Sequence, residues 1–141
     1  MCMVYQGDLV LALDRVSSRW GGLTFPGGHV EANEAFADSV IREMWEETGL
    51  TIAAPQLCGI KDWVNEDGSR FVVLLYKTDR FSGELRASEE GAVFWIRLEE
   101  LLSMEERLAP DMKAMLQVFL QDDLSEFFYY QEDGKWKYAL K

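Results

Sequence analysis

Three glutamates lie close together in a stretch of sequence that predicts a helix: Glu43, Glu46 and Glu47. At ~100° per residue, Glu47 lies ~40° and Glu46 ~300° around the helix from Glu43, so the three carboxylates share about one third of its circumference. Like charges at such positions repel each other. Mg²⁺ would remove the repulsion, because it prefers carboxylate oxygens and is often completed by substrate phosphates. The spacing therefore indicates either metal-dependent phosphate chemistry or a solvated acidic face.

The loop before this helix favours the metal interpretation. It contains the sequence Phe25-Pro26-Gly27-Gly28. Adjacent glycines let the backbone turn sharply and bring a carbonyl and amides close to the face that carries the carboxylates. Backbone and side-chain oxygens could then share one site.

The run from Gly28 to Leu50 fits a longer pattern, G-x5-E-x7-R-E-U-x-E-E-x-G-U, in which U is a bulky apolar residue. Every specified position agrees, with Met44 and Leu50 as the two U residues. On these residues the sequence resembles the Nudix hydrolase family. The resemblance implies the Nudix fold over essentially the whole chain. It also implies an enzyme that hydrolyses a nucleoside diphosphate linked to another group.

The resemblance also assigns a metal-binding role to positions of the pattern. The metal is expected to be Mg²⁺, with Mn²⁺ as the alternative. Its ligands are expected to be Glu43, Glu46, Glu47 and the Gly27 carbonyl, with Glu34 supporting them directly or through water. Two or more such ions would bridge phosphate oxygens and acidify a bound water for attack on phosphorus.

Arg42 is interpreted as a catalytic organiser of these carboxylates. It can pair with Asp38 and Glu46 one turn away on the helix, and a free surface arginine is the alternative. Gly49 is interpreted as structural, because glycine permits the left-handed turn that ends a helix.

A carboxylate must also take the proton from the attacking water. Glu43 and Glu46 are candidates, and so is a glutamate outside the pattern, either Glu89 or Glu90. Members of the resembled family often place an extra acidic residue in such a loop, and we select Glu90 for the catalytic set. The alternative for both residues is a solvated turn.

The substrate is less constrained by the pattern than the reaction. The segment around Gly28 and the chain length are most similar to the MutT-like branch of the family, whose members remove oxidised nucleotides such as 8-oxo-dGTP as monophosphate plus pyrophosphate. Gly28 is included in the predicted substrate-binding set. Asp111 is expected to read the purine edge, and an N-cap after Pro110 is its alternative. A nucleotide-sugar or ADP-ribose pyrophosphatase, or a non-catalytic nucleotide-binding regulator, are the other functions considered.

Three further residues near the pattern were considered for the site. Trp20 and Phe25 flank the loop, and they are candidates for the nucleobase pocket or, equally, for the core. His29 is the single histidine of the chain. No catalytic role is expected for it, because carboxylates and metal suffice for the chemistry.

Composition limits the possible partners and places the chain in a broad class. The 141 residues are expected to form one domain over 1–141, and the net charge of −11 argues against non-specific binding to a nucleic-acid polymer. No apolar run suggests a membrane span or signal peptide. Two cysteines, Cys2 and Cys58, are expected to be free thiols, which suits a cytoplasmic protein.

Residue patterns predict strands mixed with two helices, and hence an α/β/α sandwich around a mixed β-sheet. The first predicted strand is short, and a homodimer or the aromatic tail could cover its edge. The tail aromatics are expected to pack on the domain, with a dimer contact or substrate lid as alternatives. The predicted elements are a hairpin over 3–14, strands at 23–25, 57–63, 71–77 and 92–96, a helix over 34–48 with Asn33 as N-cap, a helical pattern over 98–121 interrupted at 109–111, and a hairpin over 125–140 turned at Asp133-Gly134.

Overall fold

The computed structural model describes residues 1–17 and 21–141 and confirms an α/β architecture. The strands are β1 (Cys2–Gln6), β2 (Leu9–Arg15), β3 (Gly22–Thr24), β4 (Leu50–Ile52), β5 (Gln56–Val64), β6 (Arg70–Thr78), β7 (Phe81–Gly83), β8 (Gly91–Arg97), β9 (Glu126–Glu132) and β10 (Lys135–Leu140). The helices are α1 (Phe36–Thr48), α2 (Leu98–Ser103) and α3 (Met112–Leu120), with a 3₁₀ turn at Glu105–Arg107.

The main sheet is mixed, as predicted. Its strands follow the order β10-β9-β5-β6-β1-β2-β3, and β8 also pairs with β2. The β1–β6 and β5–β9 pairs are parallel, whereas the other pairs are antiparallel. The short strands β4 and β7 form a separate two-stranded sheet that the sequence patterns did not predict.

The expectation that β1 needs a cover for its edge is wrong, because β1 lies between β6 and β2 inside the sheet. The tail hairpin instead extends the other end of the sheet, where β9 pairs with β5. The backbone groups that make an exposed edge strand a liability are therefore paired in β1.

Helices cover both faces of the sheet and bury two apolar clusters. Alternate side chains of a strand point to opposite faces, and β1 shows this directly: Cys2 and Val4 pack with α1, whereas Met3 packs on the side of α3. The α3 side buries Phe25, Met115 and Phe119, among others. The predicted sandwich is confirmed, and α1 is held rigidly against the sheet.

The C-terminal hairpin forms and packs on the domain as predicted, although not with all its aromatic side chains. Phe127 is fully buried, stacks with Tyr138 at 4.9 Å between ring centroids, and contacts Tyr129 edge-on. Trp136 remains 54% exposed and Tyr138 45% exposed. The hairpin is therefore anchored through Phe127, and its outer surface is only partly covered.

Cys2 and Cys58 are both free thiols, as predicted. Burial raises the pKa of the Cys2 thiol to about 12, which keeps it protonated and unreactive. Within the described part of the chain, none of the helices has the length and apolar character needed to cross a membrane.

Candidate active site

Helix α1 carries the predicted metal-ligand glutamates on one side and core residues on the other. Val40 and Met44 are buried at 5% and 0% exposure. Gly49 ends the helix with φ of 78°, and its amide donates to the Trp45 carbonyl at 2.9 Å. Both the apolar stripe and the glycine stop are as predicted, so packing fixes the direction in which the glutamates point.

The start of α1 differs from the prediction. The helix begins at Phe36, Ala35 takes the N-cap position, and Asn33 lies in the left-handed region with φ of 64°. Glu34 lies in a preceding turn, where its carboxylate accepts a 3.0 Å hydrogen bond from the Glu31 amide. The prediction of Asn33 as N-cap is wrong because this turn, and not a capped helix, satisfies the backbone there.

Arg42 is the centre of a network of ionic hydrogen bonds. Its Nε and Nη2 donate to the two Glu34 oxygens at 2.8 and 2.9 Å, and Nη2 also donates to the His29 carbonyl at 2.9 Å. Its Nη1 donates to Glu43 at 2.9 Å and to Glu46 at 3.0 Å. A planar guanidinium with five donors suits such a role. The contacts agree with the organiser interpretation, but Asp38 is not among the partners.

The Arg42 guanidinium changes the titration of its partner Glu34. Hydrogen bonding from Arg42, and then from the Glu31 amide, lowers the pKa of Glu34 to about 2 from its ordinary 4.5. The carboxylate therefore stays ionised and in contact with Arg42 through mildly acidic pH.

We expect the Glu34 carboxyl carbon to titrate in NMR spectra with a midpoint near pH 2. Because the pKa is depressed in the folded state, the stabilising contact is complete above 4.5 and is lost as the pH falls toward 2. Arg42→Met should move the midpoint up toward 4.5, whereas Arg97→Met, in a surface pair with Asp8, should not move it. A wild-type midpoint already at 4.5 would contradict the network.

Glu47 is buried, which the helical wheel alone did not indicate. It is 6% exposed and accepts a 2.9 Å hydrogen bond from the Gly27 amide. Burial raises the pKa of Glu47, and the negative charges of Glu90 and Glu43 raise it further, against the effects of the Gly27 amide and Arg15. The three carboxylates therefore influence one another, and a cation among them would relieve their repulsion.

Gly28 lies against the carboxylate of Glu43. A Cβ atom at this position would be 2.1 Å from Glu43 Oε2, which is far inside van der Waals contact. Gly28 has no positive φ, so a larger residue here is opposed by the lack of space beside Glu43 and not by backbone conformation, and it would displace the Glu43 carboxylate. The Gly-Gly turn therefore reaches the carboxylates, as predicted.

The donor set fits a hard divalent cation by its chemistry. The carboxylates of Glu43, Glu46 and Glu47 are oxygen ligands, and the Gly27 carbonyl faces the same region, where it accepts from Arg15 Nη2 at 3.3 Å. Over 1–17 and 21–141, no three Asp, Glu, His or Cys side chains already converge as a closed ligand set. Arg42 Nη1 supplies the positive charge shared by Glu43 and Glu46.

A cavity of about 850 Å³ opens beside Glu43. One part of its wall comes from the Gly-Gly turn and Glu43, and another from an aromatic pair on the sheet, Trp63 and Phe71, whose rings stack at 4.5 Å. A mostly apolar cleft with a few polar groups is the usual form of a small-molecule site. The cavity joins a phosphate-compatible region to an aromatic one.

The structure separates the predicted substrate residues. Gly28 and His29 line the cavity. Phe25 is fully buried and packs edge-on against Phe119 at 5.4 Å, so its position contradicts substrate contact and supports the core alternative. Asp111 does not line the cavity and makes no side-chain cap to α3, although it occupies the N-cap position with φ of 58°. Trp20 lies outside the described residues.

Glu90 lies near the site, as its proposed catalytic role requires. Its carboxylate is 3.9 Å from Arg15 Nε, and its charge acts on Glu47. Its side chain is 55% exposed, so it can exchange protons with solvent. No comparable contact to the site involves Glu89 among the described residues.

Several cavity residues were missed by sequence reasoning: Arg15, Lys61, Trp63 and Phe71. Lys61 and Trp63 are two residues apart in β5, so their side chains lie on the same face of the strand. A lysine on the inward face of a strand is the sequence signal that could have identified them as cavity residues. Arg15, at the end of β2, carries no such signal, because only the folded chain brings it to Gly27 and Glu90.

Residues 1–119 match the family model described as the NUDIX domain. The chain belongs to the Nudix family. Nudix hydrolase YvcI from Bacillus subtilis is 33% identical over 108 residues, which cover 73% of this chain and 67% of that protein. Phosphatase NudJ from Escherichia coli K12 is 23% identical over 112 residues, covering 77% and 73%.

Solved structures agree with this membership. A crystal structure of a mutator MutT protein from Bacillus halodurans superposes with a TM-score of 0.78 at 32% identity, covering 99% of this chain and 94% of that one. The chain is thus a Nudix pyrophosphohydrolase with MutT-like neighbours. Enzymes of this family act on small nucleotide substrates and generally use divalent metal ions.

Proposed function

We propose that this Nudix enzyme hydrolyses an oxidised nucleoside triphosphate such as 8-oxo-dGTP to the monophosphate and pyrophosphate. The observation that carries the proposal is that one and the same cavity is bounded by Gly28 and Glu43 on one side and by Trp63 and Phe71 on another. A nucleotide needs both environments, because its phosphates require charge compensation and its base an aromatic surface. The similarity to the Bacillus halodurans MutT protein supports the same branch.

The metal in this proposal is Mg²⁺, with Mn²⁺ as the alternative. Glu43, Glu46, Glu47 and the Gly27 carbonyl would hold it, and Glu34 would support them directly or through water, with Arg42 linking Glu34 to Glu43 and Glu46. When bound, the metal would neutralise phosphate charge and lower the pKa of a bound water. Oxygen-only ligands are those that magnesium prefers.

Protein side chains then have distinct tasks. Arg42 holds Glu34, Glu43 and Glu46 in one orientation through four hydrogen bonds, which limits the rearrangement needed for catalysis. Arg15 lines the cavity and supplies a fixed positive charge to the phosphates.

Glu90 is our proposed proton acceptor for the attacking water, with Glu43 and Glu46 as alternatives. It stands beside Arg15 and acts on Glu47, yet it remains in contact with solvent. A general base needs access to the water and a route for releasing the proton.

We further propose that residues 1–141 form one domain, which acts in the cytoplasm on free nucleotides and not on a nucleic-acid polymer. The net charge of −11 supports this, because polymer binding needs a basic surface. A homodimer built through the outer surface of the tail hairpin is the oligomeric state we propose, supported by the exposure of Trp136 and Tyr138.

A substrate panel with Mg²⁺ tests this proposal. We expect kcat/KM to be highest for 8-oxo-dGTP within a set of canonical and oxidised nucleoside triphosphates, ADP-ribose and dinucleoside polyphosphates. The product should be pyrophosphate; orthophosphate must be measured separately, because the relative NudJ is a phosphatase. A higher kcat/KM for ADP-ribose than for 8-oxo-dGTP would contradict the proposed substrate. Binding of these nucleotides without turnover would indicate the regulatory alternative.

A further inference from the structure

Lys61 places an ammonium group at the wall of the cavity that Gly28, Glu43, Trp63 and Phe71 also line. It projects from β5 on the same face as Trp63, and both residues line the cavity. Its Nζ lies over the ring of Tyr129 at 4.9 Å and over that of Phe127 at 5.6 Å. These two rings belong to β9, and cation–π contacts of this kind hold an ammonium in place without neutralising it.

No carboxylate or carbonyl within hydrogen-bonding distance of Lys61 is found in the described part of the chain. Burial lowers the pKa of Lys61, and the nearby charge of Asp111 opposes that shift. A half-buried ammonium that has three donors and contacts aromatic rings retains capacity for a hydrogen-bond acceptor. The cavity is where such an acceptor can reach it.

The location of Lys61 suits the base end of a nucleotide. Lys61 pairs with Val73 of β6, and the neighbouring Leu74 carbonyl accepts a hydrogen bond from Met1, whose backbone abuts Gly27. Only β6 lies between β5 and β1, so at ~4.8 Å per strand the backbones of β5 and β1 are ~10 Å apart. A nucleotide with its phosphates near Glu43 would therefore extend its base along this cavity toward Lys61.

The two rings that contact Lys61 lie beyond the residues that the family model matches. The NUDIX match ends at residue 119, whereas Phe127 and Tyr129 follow it. The tail hairpin therefore contributes the rings that hold Lys61 at a cavity whose lining comes from earlier parts of the chain.

We propose that Lys61 is a specificity-determining residue that donates to the 6-oxo oxygen of a purine and so selects 6-oxopurine over 6-aminopurine nucleotides. This inference rests on the proposed function, because that function makes a purine nucleotide the ligand of the cavity. Guanine and hypoxanthine present an acceptor at this position, whereas adenine presents amino protons that oppose the ammonium.

Binding of the nucleoside monophosphates dGMP, dIMP and dAMP, measured by isothermal titration calorimetry, tests the proposal without depending on turnover. Wild-type protein should bind dGMP and dIMP at least ~10-fold more tightly than dAMP, the scale of one hydrogen bond to a charged group. In Lys61→Met this preference should disappear. The matched control is Lys137→Met in β10, where the lysine pairs with Glu132 outside the cavity, and the preference should persist.

Two outcomes would overturn the inference: a wild-type protein with no preference for 6-oxopurines, or a Lys61→Met variant that keeps the preference. Lys61→Met should fold, since it removes a desolvated charge from an apolar surrounding. Lys61→Gln, which retains a neutral donor, serves as a second variant and should keep part of the preference. If all nucleotides fail to be hydrolysed while the binding preference follows Lys61, the proposed function fails and the inference about Lys61 stands.

Discussion

Glu43→Gln is expected to lower kcat/KM for nucleotide hydrolysis by about 10²- to 10⁴-fold, the usual range for a side chain that acts directly in proton transfer or charge stabilisation. Glu43 lines the cavity, touches Gly28, and shares Arg42 Nη1 with Glu46. Glutamine keeps the shape but removes the negative charge that a divalent ion requires. Steady-state kinetics of pyrophosphate release with Mg²⁺ measure the effect.

A matched control separates this effect from a general loss of negative charge. Glu99→Gln makes the same chemical change on an exposed position of α2, away from the cavity, and should leave kcat/KM unchanged. Equal rates for Glu43→Gln and Glu99→Gln would show that the carboxylate of Glu43 has no part in the reaction. Thermal unfolding of each variant verifies that the fold is intact.

Gly28→Ala is expected to reduce kcat by about 10²-fold, the scale reported for displacing a reacting group by about 1 Å. The added Cβ would meet the Glu43 carboxylate at 2.1 Å, so either this carboxylate or the loop must move. Because no positive φ is lost, the unfolding temperature should change little. Comparison of kcat with the unfolding temperature distinguishes a local displacement from misfolding.

The control for this substitution is Gly7→Ala in the turn between β1 and β2. A Cβ there meets nothing within 4 Å, although φ is +61°. Gly7→Ala should therefore lower stability slightly and leave kcat unchanged, the reverse of Gly28→Ala. Full activity in Gly28→Ala would contradict the close contact between the turn and Glu43.

The helix and its apolar stripe were predictable because periodicity and a glycine stop act locally. The same local rules misplaced the helix start, since Glu34 is held by Arg42 eight residues later, together with the Glu31 amide. The helical wheel placed Glu47 on the ligand face but did not show its burial, which depends on the Gly27 amide packing against it. Residue spacing therefore does not predict the contacts between the loop and the helix.

The aromatic half of the cavity depends on strand pairing that the sequence patterns did not reveal. Lys61 and Trp63 come from β5 and Phe71 from β6, and they meet through antiparallel register. The rings over Lys61 come from β9, which pairs in parallel with β5 after an intervening helix. Phe25 adjoins the glycines in sequence, but it points into the core on the α3 side. Proximity in sequence to the glycines therefore did not predict which residues line the cavity.

We propose that the α1 carboxylates, with a divalent metal, act in the cleavage of a nucleoside triphosphate to a monophosphate and pyrophosphate. The most direct measurement is product analysis of 8-oxo-dGTP incubated with wild-type protein and Mg²⁺, before and after addition of excess EDTA. We predict 8-oxo-dGMP and pyrophosphate in equal amounts, and no products after EDTA. Undiminished cleavage in EDTA, or release of orthophosphate with 8-oxo-dGDP, would contradict the account.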